Sequence, residues 1–249
     1  TVMASFYPLQ YLAEKIGGEH VSVTSLTPEG AEPHDLELSP KMVDSLASAD
    51  AVVYLAGFQG AVDEAIEQHA PTTVIDVSSA AQLVAIDSTS NHPGEDEGTD
   101  EAQSGEAQSG KAQSGEAADH NHEGHEHEGH DHEHADHDHH HDMSMDPHFW
   151  LDPTRMADAA KQVHAALVKA DPSHKADYDA NLKTTLAKLT KLDTSYKQGL
   201  SQCTRKTFVT SHAAFGYLAE RYGLTQVSVS GIDPDSEPSP ADIAKVKQV

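Results

Sequence analysis

Apolar residues recur along this chain in two alternating rhythms. Thr1 to Phe6 is a short apolar run, the mark of a buried strand. From Pro8 to Ile16, Leu9, Leu12, Ala13 and Ile16 fall on one face of a helix that Gly17-Gly18 should end. Val21 to Leu26 alternates as a second strand. Ser39-Pro40 then opens a helix through Ala49, with Met42, Val43, Leu46 and Ala47 turned inward. Ala51 to Leu55 reads as a strand, Ala61 to Gln68 as a helix and Thr73 to Val77 as another strand. Strand and helix alternate, which predicts an α/β fold with parallel sheets.

The rhythm stops at Asp87 and resumes at Asp146. Asp152-Pro153 supplies an N-cap and a first-turn proline for a helix through Val168. Pro172 to Gln202 carries Tyr178, Leu182, Leu186, Leu189, Leu192, Tyr196 and Leu200 at spacings of three or four, with no proline inside the run. A helix of that length reaches about 46 Å at 1.5 Å per residue, more than a small domain needs. A coiled-coil arm would suit the pattern. A strut between two lobes suits it better, because strand–helix–strand patterning restarts at Thr207–Thr210, Ala213–Tyr222 and Thr225–Ser230. The expected organisation is therefore an N-terminal α/β lobe over 1–170, a linking helix over 171–202 and a second α/β lobe over 203–249. Ser239-Pro240 starts a helix close to Val249, so the second lobe is expected to continue further. Thr1 is expected to follow a processed leader.

The interval inside the first lobe, about 88–145, has no periodicity that could bury a core. It contains a tandem repeat, Glu101–Gly105, Glu106–Gly110 and Lys111–Gly115, whose Ala-Gln-Ser-Gly composition predicts a flexible tether. Beyond it lies an acidic histidine tract with His120, His122, His125, His127, His130, His132, His134, His137, His139, His140 and His141, which is 11 of the 19 histidines in the chain. A purification tag is usually terminal and uninterrupted, whereas this tract is internal and interleaved with Asp, Glu and Gly. A merely solvated acidic loop has no use for imidazole. Neutral imidazole is a common ligand of zinc, copper and nickel, and neighbouring carboxylates hold cations nearby, so the tract predicts an auxiliary, low-affinity metal-collecting segment.

Charge points the same way. The formal net charge is −25, and between His92 and Asp142 sixteen acids face the single Lys111, so that window alone carries −15. Nucleic acid and anionic membrane surfaces need a basic face, so neither is an expected partner. A cation is. Cys203 is the only cysteine, which excludes an internal disulfide and a thiolate zinc cluster. No apolar run approaches the roughly 18 residues a membrane-spanning helix requires.

Three histidines outside the tract share one kind of position, a loop that precedes a helix: His34, His148 and His212. In open α/β sheets ligands bind beyond the carboxyl ends of strands, where such loops meet. Three imidazoles and one oxygen make a tetrahedral zinc site. Of the other histidines, His20, His69, His92, His164 and His174 are expected at the surface. Phe149 and Trp150 are expected to seal the core beside His148.

The segments EPHDLELSP (32–40), DPHFWLDP (146–153) and TSHAAFGYLAERYGL (210–224) resemble, in order and spacing, the metal-binding motifs of the cluster A-I solute-binding proteins of ABC importers, in particular their zinc-binding branch. The likeness covers essentially all of the chain outside the acidic loop. It implies two α/β lobes joined by one long rigid helix, with the metal in the cleft between lobes and His34, His148 and His212 as successive ligands. Manganese-binding relatives resemble this chain but carry a carboxylate in the third position, and His212 there implies zinc, the softer choice. The histidine-rich insertion is likewise typical of the zinc branch. Asp233, Asp235 and Glu237 do not match the position of the family's acidic fourth ligand, which leaves water, Glu32 or a residue beyond Val249 for that role.

The resemblance implies an extracytoplasmic, monomeric protein, either free in a periplasm or lipid-anchored at the cell surface, that delivers Zn2+ to the membrane permease of an ABC-type importer. Two other readings of the same residues are a metal buffer or adhesin whose function is the tract, and a zinc hydrolase. A hydrolase needs a general base beside the metal, and neither HExxH nor a related signature occurs.

Overall fold

The computed structural model describes residues 1–69, 71–86 and 144–249. Its first sheet is built from β1 (Val2–Ala4), β2 (Val23–Ser25), β3 (Ala51–Tyr54) and β4 (Thr73–Asp76), in the order β2-β1-β3-β4. All pairings are parallel, with Val2 opposite both Val23 and Ala51, and Ala51 opposite Thr73. Between them run α1 (Tyr7–Gly17), α2 (Pro40–Ala47) and α3 (Gly60–His69), followed by the short α4 (Ser78–Ala81). The strand order reverses at β1, and that reversal opens a crevice at the carboxyl edge of the sheet.

Successive side chains on a strand point to opposite faces, and here each face has its own core. Val2, Ala4 and Val53 pack with Leu9, Leu12, Ala13 and Ile16 of α1 on one face, whereas Met3 and Val52 pack with Leu46, Val62 and Ile66 of α2 and α3 on the other. Leu9, Leu12 and Ile16 are wholly buried, each contributing about 1.5–3 kcal/mol relative to exposure. Helix α1 ends at Gly18, whose φ of +56° with ψ of −135° favours glycine, and Asn181 of the long helix donates to the carbonyl of Ile16.

Helix α5 (Pro153–Ala170) starts as its sequence predicts, with the Asp152 carboxylate accepting from the Thr154 amide at 2.7 Å and Pro153 in the first turn. The long helix α6 (Lys175–Ser201) packs on both α5 and α1. It begins three residues later than its apolar pattern suggests. Pro172–His174 is a 3₁₀ turn instead, held by the Asp171 side chain, which engages Ser173, His174 and Tyr178. Its far half also departs from the pattern: Leu192 and Tyr196 are exposed and Asp193 is buried.

The second sheet pairs β5 (Thr207–Thr210) with β6 (Thr225–Ser228) in parallel, with α7 (Gly216–Tyr222) as the connection and α8 (Pro240–Val246) beyond. The architecture is thus α/β, with two parallel sheets and one long helix against which both layers pack. Helix α7 starts at Gly216 rather than Ala213. The amide of Ala213 donates to Gly231 O at 2.7 Å and that of Phe215 to Gln226 Oε1 at 3.1 Å, which ties the loop before the helix to β6 and the segment after it. Among the described residues no helix is long and apolar enough to cross a membrane.

Candidate metal centre

Three loops meet at one point, each fixed by side chains remote in sequence. The loop after β2 holds Thr27 and Pro33 to Gln59, a buried residue whose amide donates to Thr27 Oγ1 at 3.1 Å and to Pro33 O at 3.0 Å. His34 follows directly. Before α5, the Asp146 amide donates to Val84 O, and the Asp146 carboxylate folds back on its own chain. Asp146 Oδ1 accepts from the His148 amide at 2.9 Å and lies 2.8 Å from His148 Nδ1. After β5, the buried Gln226 donates to Thr210 Oγ1 at 2.7 Å and to His212 O at 3.0 Å, which presents the His212 ring.

These supports bring His34, His148 and His212 together. One ring nitrogen from each lies within 4.8 Å of the others, and Nε2 of His34 is 3.3 Å from Nε2 of His148. Two nitrogens at Zn–N distances of about 2.0–2.1 Å in a tetrahedron stand about 3.3 Å apart, so this edge already has the right length. His212 is half-buried and presents its ring nitrogen within 4.8 Å of the other two. With Nδ1–H of His148 facing Asp146, its Nε2 keeps a free lone pair, the arrangement in which a carboxylate orients a metal-binding imidazole. Among the described residues no carboxylate joins this trio within the same separation.

The surroundings favour the neutral form of His34 and His212. Burial holds His34 well below the usual histidine range, at about 4, aided by the neighbouring His148 and opposed by Asp233. Burial also lowers His212, again with His148 beside it and Glu32 opposing. Phe58 meets the His34 ring edge-on at 4.9 Å and Trp150 lies 5.1 Å from His148, while Phe6 packs against both aromatics. Phe149 is fully buried in the core behind them. Outside the carboxyl edge, burial and a hydrogen bond with Asp235 raise Asp35. The donor set is therefore three imidazoles beside aromatic side chains with acids nearby, which suits a divalent cation of intermediate softness.

Elsewhere, His20 pairs with Asp177 and stacks on His174, His164 pairs with Asp179, and His69 closes α3. His92 and the predicted auxiliary metal segment, His120, His122, His125, His127, His130, His132, His134, His137, His139, His140 and His141, lie outside the described residues. No periodic signal marks Gln59, Gln226 or the orienting role of Asp146. A short polar side chain two residues before a loop histidine is the one local hint of the last.

Known proteins resemble this chain over nearly its whole length. The family model described as ZnuA, the periplasmic component A of a zinc-uptake complex, matches residues 2–249. The high-affinity zinc uptake system protein ZnuA of Bacillus subtilis is 33% identical over 99% of this chain and 66% of its own length. The zinc-binding lipoprotein AdcA of Streptococcus pneumoniae is 32% identical over 99% of this chain but only 42% of its own. Among solved structures, the Zn(II)-bound ZnuA-like domain of Streptococcus pneumoniae AdcA superposes with a TM-score of 0.66 at 26% identity, covering 99% of this chain and 73% of that one. The chain thus spans just under two thirds of the length of one curated relative and under half of the other.

Proposed function

This chain belongs to the ZnuA family of periplasmic zinc-uptake components, and on that premise we propose that it captures one zinc ion with His34, His148 and His212 and passes it to the permease of an ABC-type importer. The observation that carries this reading is the convergence of three ring nitrogens from three separate loops, one of them oriented by Asp146. Zinc is the cargo here, and a water or acid from the rim completes its shell. The names of the relatives, a zinc uptake protein and a zinc-binding lipoprotein, support an extracytoplasmic setting. A monomer serves this purpose, with the layers over 1–170 and 203–249 acting as lobes and 171–202 as their strut.

The protein acts as a binder and not as a hydrolase. Asp146, the fully buried carboxylate at the rings, sits against Nδ1 of His148, on the side of the ring away from the Nε2 that faces the site, whereas metal-assisted hydrolysis needs a base beside the metal-bound water. The histidine tract collects further ions weakly without supplying a ligand to the cleft. Deleting Asp96 to Asp142 then removes the weak sites and leaves one tight site.

The test is a competition titration with zinc and manganese on the full chain and on His34→Ala, His148→Ala and His212→Ala. The expected result is one tight zinc site that each substitution weakens, with manganese bound far less tightly. Equal affinity for the two metals, or indifference to all three substitutions, overturns the reading.

A further inference from the structure

Helix α7 begins four residues after His212, yet two of its side chains grip the segment that carries His148. Tyr217 is almost completely buried. Its hydroxyl donates to the main-chain carbonyl of Asp146 at 2.7 Å and accepts from the amide of Val84 at 3.0 Å. One helical turn later, Arg221 Nε lies 3.2 Å from Asp152 Oδ1 and donates to Asp193 Oδ1 of the long helix at 2.7 Å. Asp193 is itself buried and is also bonded by Lys197 and Tyr222. Asp146 and Asp152 are the two ends of the short stretch with His148 inside it.

We propose that α7 is a two-point clamp across the metal site, in which Tyr217 and Arg221 are positioning residues that set the distance between His148 and His212. The inference rests on the zinc-binding reading of the three histidines. Apolar contacts between layers are non-directional and let packed surfaces slide by fractions of an ångström. Buried hydrogen bonds do not, because displacing either partner leaves a polar group unpaired. Tyr217 fixes the backbone at Asp146, whose carboxylate in turn orients the His148 ring. Arg221 fixes the other end and ties both to the long helix, through charge-assisted bonds that hold geometry better than neutral ones. A metal site whose second ligand is anchored to the helix following its third ligand is preorganised, so less of its binding energy is spent on ordering.

The substitutions are Tyr217→Phe, which removes one hydroxyl from an otherwise unchanged ring, Arg221→Met, and Arg221→Lys as the conservative variant. Each is titrated as the full chain with zinc against a chromophoric competitor, and with cobalt, whose visible absorption reports tetrahedral coordination. The histidine tract is common to all variants, so differences report the cleft. Tyr217→Phe and Arg221→Met are each expected to weaken zinc about tenfold, the lower end of what outer partners of metal ligands contribute, and to reduce the tetrahedral cobalt bands. Arg221→Lys should recover part of the loss. A general folding defect would weaken binding whatever the ligand set. The clamp instead predicts that Tyr217→Phe costs nothing further once His148→Ala is present, while its cost persists beside His34→Ala. Wild-type affinity in both Tyr217→Phe and Arg221→Met overturns the clamp, as does an undiminished Tyr217→Phe penalty in the His148→Ala chain. Should Arg221→Met not fold, Tyr217→Phe decides alone. Failure of the underlying reading looks different, since zinc binding would then ignore the three histidine substitutions themselves.

Discussion

Removing the Asp146 carboxylate tests how much of the site's strength lies outside the ligands. Asp146 is wholly buried, and its Oδ1 accepts from the His148 amide and faces His148 Nδ1 at 2.8 Å. The carboxylate holds the ring in the tautomer whose Nε2 is free, and its negative charge makes that nitrogen a stronger donor. Loss of such a partner weakens metal affinity about 10- to 100-fold, or about 1.4–2.7 kcal/mol, in line with the roughly 1.5–3 kcal/mol of a hydrogen bond to a charged group. Asn keeps an acceptor oxygen but no charge, so Asp146→Asn should fall near the tenfold end and Asp146→Ala near the hundredfold end. Competition titration measures this directly. Thermal unfolding gives a second readout, because each tenfold loss of affinity removes about 1.4 kcal/mol of zinc-induced stabilisation. Asp146 Oδ2 is buried without a hydrogen-bond partner, so the metal-free Asn variant should melt no lower than the parent. Unchanged zinc affinity in both variants refutes the reasoning. An equal fall in melting temperature with and without zinc would give Asp146 a folding role instead.

His34 stays neutral down to about pH 4, and His212 is also lowered, so protons compete with cleft-bound zinc well below the ordinary histidine value of about 6.5, where exposed imidazoles already protonate. Zinc retention measured against pH should persist at pH 5.5, and half-release at pH 6.5 would contradict this. Because the unfolded chain then binds protons first, His34 also makes the metal-free protein less stable as pH falls from about 6.5 toward 4. Arg221 holds Asp193 down at about 2, so the stability this carboxylate contributes is present above its ordinary pKa of about 4 and is lost as pH falls through 2. Asp193→Ala leaves Arg221 poorly paired and should cost about 3 kcal/mol at pH 7, with a smaller cost at pH 2, by urea unfolding. Gly18→Ala meets both a φ of +56° and a Cβ position 2.8 Å from Asn181 Nδ2 and should lose at least about 1 kcal/mol, and an unchanged melting temperature would count against that account of the α1 terminus.

Much of the fold was legible because it is written in short-range periodicity. The alternation around β1 to β4 and the one-sided faces of α1 and α5 depend on neighbours a few residues apart, and elements form there with only small shifts at their ends. The departures have a common cause in long-range bonds. Asp193 is buried because Arg221, Lys197 and Tyr222 surround it, while Leu192 beside it faces outward, and no spacing rule anticipates a charged residue on the inner face of a helix. The loop before α7 is tied to Gln226 and Gly231, partners distant in sequence that no local pattern encodes. At the site, the loop positions of His34, His148 and His212 pointed to convergence, because all three precede helices at strand ends. Their supports did not, since Gln59, Gln226 and Tyr217 act across tens of residues with side chains of no special pattern.

We propose a single zinc ion held between His34, His148 and His212. Anomalous diffraction recorded on both sides of the zinc absorption edge, from crystals of the zinc-loaded full chain, locates ordered ions without assumption. The account predicts the strongest peak at about 2.0–2.1 Å from Nε2 of His34, Nε2 of His148 and a ring nitrogen of His212. A strongest peak elsewhere, with these three rings lacking an ion between them, would contradict it.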